Sequence, residues 1–245
     1  MTRREFGVGL IAAAAPAAEW RSLFDGKSFA GWRDPSQMDP VGDSWSIEDG
    51  CLVAKLEPQL LEDLETVEVF TDFEFRFEWK VAVGGNSGVK YSIAARRFFE
   101  NSKPGWIEGK LVESRHFAPG TRGQQYLFAC EFQLIDDERH PDAARGAARK
   151  TGSLYGLAAS RQPAQAAAGE WHEGRLVKRG MHVEHWVNGK LVLEAELNSA
   201  EVEQGLARSP KRLADFRAGL RKPSPLVLQN HGDSRVWFRG LRVKT

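Results

Sequence analysis

The chain has 245 residues, 42% of them hydrophobic, and its 34 basic and 33 acidic side chains leave a net charge of +1. That length is enough to bury a full core in one domain, and charges of both signs spread evenly along the chain give no electrostatic footprint for nucleic acid, so that partner is not expected. Beyond the N-terminus no run approaches the roughly 18 apolar residues that span a membrane.

From the start of the chain, Thr2-Arg3-Arg4-Glu5-Phe6 precedes an apolar, alanine-rich stretch from Val8 to Ala15 and the small residues Ala15-Pro16-Ala17. This is the order of a twin-arginine-like export signal over residues 1–18. It predicts an exported, periplasmic or extracellular protein whose residues 19–245 form one domain. Strands are predicted at Ser44 to Ile47 and Cys51 to Ala54. Phe73 to Trp79 alternates rings and charges at period two, the pattern of a half-buried antiparallel strand. Val89 to Ile93, Tyr126 to Ile135, Gly174 to Lys178 and Leu226 to Gln229 follow as strands. Met181 to Val187 and Lys190 to Leu197 flank Asn188-Gly189, the turn pair of a tight β-hairpin. Arg235 to Lys244 closes the chain, with its alternation changing phase at Gly240 as in a bulge. Helix is confined to Ser199 to Arg208 and Lys211 to Arg217. The stretches Phe98 to Gln125, Asp136 to Lys150 and Ser160 to Glu170 read as long loops. So many strands with so little helical periodicity predict an all-β sandwich of two antiparallel sheets. The two cysteines, Cys51 and Cys130, lie in apolar strand-like surroundings and read as buried thiols or, in an oxidising compartment, as a pair.

Four places could carry chemistry. On the first, Lys90 and Ser92 share one face of a strand and Val89 and Tyr91 the other, so Lys90 is either solvated or buried with a partner. The second is the strand from Cys130 to Ile135. Its Phe132 and Leu134 face a core while Glu131 and Gln133 project opposite, and Asp136, Asp137 and His140 follow at the strand end, where acids and an imidazole could meet a ligand or a divalent metal ion. At i+2 from Glu131 stands Gln133, so this strand lacks the paired carboxylates of an ordinary glycosidase. On the third, His182, Glu184 and Trp186 face one way and Val183, His185 and Val187 the other, which leaves His185 on an apolar face as a satisfied core imidazole or a ligand contact. The fourth is Leu226 to Asp233, an apolar strand ending in Gln229, Asn230, His231 and Asp233. Eight tryptophans offer flat faces to a core or to sugar rings.

Taken together, Ser22-Leu23-Phe24-Asp25-Gly26-Lys27 with Gly31-Trp32, Asn86-Ser87-Gly88-Val89-Lys90-Tyr91, Glu131 to Asp137 with His140-Pro141-Asp142-Ala143, Gly152-Ser153-Leu154-Tyr155, Val183 to Gly189, and Leu228-Gln229 with His231-Gly232-Asp233 resemble the 3-keto-disaccharide hydrolase family over residues 20 to 245. The chain departs from that pattern at His172, Asn230, Gly240 and within Ser209-Pro210-Lys211. The resemblance implies a concanavalin-like jelly roll and cleavage of glycosides already oxidised at C3. A C3 ketone acidifies the hydrogen on C2, so one base can form an enediolate that expels the C1 substituent, after which water adds back. Such a route needs a base, an oxyanion stabiliser and an acid for the leaving oxygen. Under the resemblance Glu131 or His140 is the base and Lys90 or a divalent ion meets the oxyanion. Asn86, Asp136, Asp137, Tyr155, His185, Gln229 and His231 become sugar contacts. A lectin-like binding module on the same fold is the competing class.

Overall fold

The computed structural model describes residues 19–35, 41–58, 61–99, 106–107, 110–111, 124–207 and 210–245. The export segment 1–18 and most of the long stretch from Phe98 to Gln125 lie outside the described residues. In chain order the strands are β1 (Arg21–Ser22), β2 (Trp32–Arg33), β3 (Trp45–Glu48), β4 (Cys51–Ala54), β5 (Leu64–Thr66), β6 (Phe73–Val81), β7 (Asn86–Phe99), β8 (Trp106–Ile107), β9 (Lys110–Leu111), β10 (Gln124–Ile135), β11 (His172–Arg179), β12 (His182–Val187), β13 (Lys190–Glu196), β14 (Val227–Leu228) and β15 (Val236–Lys244). Two helices, α1 (Ala200–Gln204) and α2 (Pro210–Gly219), sit late in the chain.

The protein is an all-β jelly-roll sandwich of two antiparallel sheets. One sheet runs β13-β12-β11-β6-β15-β4-β3 with β1 added beside β15, and the other runs β10-β7-β14-β5-β2. The predicted hairpin forms between β12 and β13, with Asn188 and Gly189 at φ 50° and 75°, values a two-residue primed turn requires. The expected phase change at Gly240 is a register shift between Arg239 and Arg242, opposite β6.

The core forms where the inward rows of the two sheets meet. Phe73, Phe75, Phe77 and Trp79 of β6 are sealed from solvent, each ring worth about 1.5–3 kcal/mol on burial. Phe77 meets Phe132 of β10 edge-on at 5.8 Å, and Phe73 meets Tyr91 of β7 at 6.4 Å. Those contacts fix the sheet faces. Because Phe132, Leu134, Val89 and Tyr91 point inward, Glu131, Gln133, Gly88 and Lys90 must point to the outer face of the five-stranded sheet. Cys51 and Cys130 are both buried and both free thiols.

The segment after β10 is more ordered than its composition predicts. It turns at Asp136, passes two short 3-10 turns at Ala143–Arg145 and Ala147–Arg149, and returns along the free edge of β10. Gly152 N–H donates to the Gln133 carbonyl at 2.9 Å and Tyr155 N–H to the Glu131 carbonyl at 2.9 Å. Backbone bonding to β10, invisible to side-chain periodicity, orders it.

Candidate active site

Strand register assembles a polar row across the outer face of the five-stranded sheet. Glu131 of β10 stands opposite Lys90 of β7, Lys90 opposite Val227 of β14, Val227 opposite Glu65 of β5, and Glu65 opposite Arg33 of β2. Tyr155 extends the row on the far side of Glu131 through its backbone bond.

Glu131 is lodged deep among its neighbours while part of its surface stays open to solvent. Burial pushes its carboxyl up to about 7, a rise that the nearby Lys90 opposes and Asp63 and Asp142 reinforce. Its seat depends on a missing side chain. A Cβ on Gly88 would collide with Oε1 and lie 2.7 Å from Cγ and 2.8 Å from Cδ of Glu131. The glycine therefore lets the Glu131 carboxylate lie across β7, although the residue in register with Gly88 is Gln133.

Lys90 is buried with a partner, as one of its two expected alternatives required. Its Nζ donates to Asp63 Oδ2 at 2.7 Å, with both side chains under a tenth exposed. The other oxygen of Asp63 accepts the Asn230 N–H at 3.1 Å. One carboxylate thus ties the lysine to the loop that carries His231 and Asp233. The Asn230 side chain braces that loop further, donating to the Ser44 carbonyl at 2.9 Å and accepting from Gly232 N–H at 2.8 Å.

On the loop, His231 Nδ1 lies 2.7 Å from Asp233 Oδ2, and His140 Nε2 lies 3.1 Å from the same oxygen. His140 Nδ1 accepts the Asp142 N–H at 3.1 Å, so its proton sits on Nε2 facing Asp233. Burial works against a charged His231, but the Asp233 hydrogen bond outweighs it and raises the imidazole above its ordinary value. Burial likewise raises Asp233, yet His231 and His140 overcome it and bring the carboxyl down to about 2. Donor atoms of His140, His231 and Asp233 lie within 4.8 Å of one another, a set that could hold a divalent ion.

On the other flank the Tyr155 hydroxyl donates to Asp142 Oδ2 at 2.7 Å and accepts from Arg149 at 2.6 Å. Burial first, and then the Asp142 bond, push the phenol up, so it stays protonated. Asp142 Oδ1 is taken by Arg149 at 2.8 Å and Arg145 at 3.0 Å.

Glu131, Lys90, His140, Tyr155 and His231 therefore converge as expected, while other expected contacts are placed elsewhere. His185 is wholly buried between the sheets. It stacks on Phe132 at 4.2 Å and bonds the Tyr91 hydroxyl and the Gly152 carbonyl at 2.9 Å each, so it is a core imidazole and not a sugar contact. Its burial brings the imidazole down to about 4. Asp136 is also buried, its oxygens accepting N–H groups of Gly84, Glu138 and Arg139. It staples the turn after β10. Asp137 accepts the Thr151 N–H at 2.8 Å and holds the returning segment. The Asn86 side chain is buried and accepts from Gln133 at 3.1 Å, bracing the floor beside Glu131. Gln229 contributes its backbone, N–H to the Gly88 carbonyl and carbonyl to the Ser87 hydroxyl, while its side chain is half-buried. Asp63, Asp142 and Arg149 were not singled out from sequence.

The jelly roll thus carries a deeply lodged glutamate, a braced lysine and a His–Asp–His cluster on one sheet face. The chain belongs to the 3-keto-alpha-glucoside-1,2-lyase-like domain family, whose model matches residues 19–244. It is 30% identical over 240 residues to a 3-keto-disaccharide hydrolase of Bacteroides thetaiotaomicron, spanning 91% of this chain and 77% of that protein. Two crystal structures of Parabacteroides distasonis proteins, named as candidate glycosyl hydrolases, are similar at 25% identity. They superpose with TM-scores of 0.67, over 92% of this chain and 93% of the other, and 0.62, over 93% and 99%.

Proposed function

We propose that the protein cleaves glycosides carrying a ketone at C3, by elimination across C1–C2 followed by hydration, with net hydrolysis as the outcome. The observation that carries this reading is the state of the carboxylates. Glu131 is held near neutrality by burial, as a base working near pH 7 should be. Its acidic neighbours Asp63 and Asp142 are both neutralised, the first by Lys90 and the second by Arg149, Arg145 and Tyr155. Asp233 is likewise taken by His231 and His140, so among the described residues the cluster offers one base and no spare nucleophilic carboxylate, which suits proton abstraction better than double displacement.

In this mechanism Glu131 removes the C2 hydrogen and the electron pair forms the C2–C3 enediolate. The Lys90 ammonium, fixed by Asp63, stabilises the developing oxygen charge at C3. Expulsion of the C1 oxygen gives the 1,2-unsaturated ketone, and His231, kept protonated by Asp233, supplies the proton to the leaving group. Water then adds its hydroxyl at C1 while C2 regains a proton. If a divalent ion were held by His140, His231 and Asp233, His231 would be a neutral ligand and no longer the acid, and the ion would supply Lewis-acid stabilisation of the departing oxygen in its place. The family relationship and the name of the Bacteroides relative support the substrate class.

The test is incubation of purified protein with a 3-keto-glucoside and with its unoxidised parent, following aglycone release. Release from the keto compound alone supports the proposal. Equal release from both refutes the C2-acidity mechanism. Binding without cleavage of either makes the protein a lectin-like module.

A further inference from the structure

The outer face of the eight-stranded sheet, opposite the candidate active site, carries a second polar row. Trp186 of β12 stands opposite Arg175 of β11, Arg175 opposite Arg76 of β6, and Arg76 opposite Arg242 of β15. Three guanidinium groups side by side on adjacent strands repel one another unless something answers them. Glu74 answers part of the charge, accepting from Arg175 at 2.5 Å and Arg76 at 3.0 Å and pairing with Lys244 at 3.3 Å. One carboxylate thus pairs with three cations. Arg242 is exposed and has no carboxylate partner among the described residues.

Two aromatic rings close the row. Trp20 lies 4.8 Å from the Arg76 guanidinium and 5.6 Å from that of Arg242, and Trp186 lies 4.7 Å from that of Arg175. Between them is a cavity of about 570 Å³ whose lining includes the cations Arg76, Arg175 and Arg242, the rings of Trp20 and Trp186, and the two carboxylates Glu78 and Glu173. Glu78 and Glu173 stand one row along the strands, and Glu78 is held by Arg239 at 2.7 Å. The row from Trp186 to Arg242 crosses three strand spacings, about 14 Å, long enough for a short oligosaccharide.

We propose that this cavity is a second binding site, for an acidic saccharide. Arg242, which has no carboxylate partner among the described residues, and Arg76, which shares Glu74 with two other cations, meet a carboxylate or sulfate on the sugar, and the faces of Trp20 and Trp186 pack against the rings. The two sites lie on opposite sheets, so a charged glycan could be held on one face while the other works on a separate sugar.

The experiment is calorimetric titration of the purified protein with a galacturonate tetrasaccharide, the matching uncharged galactose tetrasaccharide and inorganic sulfate. The uronate is expected to bind at least about tenfold more tightly than the uncharged sugar, and Arg242→Ala to weaken it by about tenfold, the loss of one charge-assisted contact. Glu131→Gln should leave that affinity unchanged, as should Arg242→Ala the melting temperature and the cleavage rate at the other face. No uronate binding, equal binding of the uncharged sugar, or full affinity in Arg242→Ala overturns the proposal. So does loss of uronate binding in Glu131→Gln, which would move the sugar to the other sheet, or displacement of the uronate by equimolar sulfate, which would leave an adventitious anion only.

Discussion

Replacing Glu131 with Gln should make the enzyme slower and the fold more stable. Gln keeps the shape that Gly88 accommodates and removes the proton acceptor, so turnover should fall by roughly 10² to 10⁴. Stability moves the other way because the charged carboxylate is disfavoured where it sits. The native protein holds a proton on Glu131 up to about pH 7, whereas the unfolded chain releases it near the ordinary 4.5. Between those values the folded state binds more protons, so stability falls as pH rises and levels off above about 7. At about 1.4 kcal/mol per pH unit this amounts to about 3–4 kcal/mol at most, and less in practice because Glu131 is partly open to water. His185 runs in the opposite sense. Its imidazole is brought down to about 4, so the stability it contributes is present above its ordinary 6.5 and is lost as pH falls toward 4. The two slopes oppose each other between about pH 4.5 and 6.5 in the wild type, and Glu131→Gln should expose the His185 slope alone. Thermal melts of both proteins at pH 4, 6 and 8 should show no difference at pH 4 and a gain of roughly 5–10 °C for the variant at pH 8. A variant that melts below the wild type at pH 8 would show that the ionised carboxylate holds the structure together. Full turnover in a folded variant would remove Glu131 as the base.

Gly88→Ala should push the Glu131 carboxylate off β7 without unfolding the sheet, since the colliding atoms belong to a side chain and not to backbone. Its cost should be about 1–3 kcal/mol in a denaturant melt with a loss of at least about tenfold in turnover, and unchanged turnover would refute the seat described for Glu131. His185→Ala should cost about 3 kcal/mol or more by urea titration, because it opens a cavity against Phe132 and strands the Tyr91 hydroxyl; a loss below 1 kcal/mol would contradict its core role. We also propose that the protein is exported, so the native mass should correspond to a chain starting after about Ala18, and an intact Met1 would count against it.

The elements with strong periodicity were legible from the residues alone. Alternation over Phe73 to Trp79 marked β6 and its inward rings, and Asn188-Gly189 marked the hairpin. The two- and three-residue strands β1, β2 and β5 were not, because they are too short to show a period. That loss hid Asp63, which precedes β5 and meets Lys90, 27 positions further along the chain. In the same way the pairing of His140 with Asp233 joins loops 93 residues apart, and nothing local announces it. His185 shows the reverse situation. Its place on an apolar strand face pointed to the core, and the family resemblance, which marked it as a sugar contact, pointed away from where it lies. Glu131 was found by both routes because alternation with Phe132 and Leu134 set its face before the motif suggested its chemistry.

Abstraction of the C2 hydrogen is the claim on which the account rests. Cleavage of a 3-keto-glucoside in heavy water, quenched early and corrected by an enzyme-free control for spontaneous exchange, tests it through the product's isotope content. The account predicts deuterium at C2 in the released 3-keto sugar, formed at the rate of aglycone release and suppressed with it in Glu131→Gln. A released sugar that retains its original C2 hydrogen would contradict the account and require direct displacement at C1.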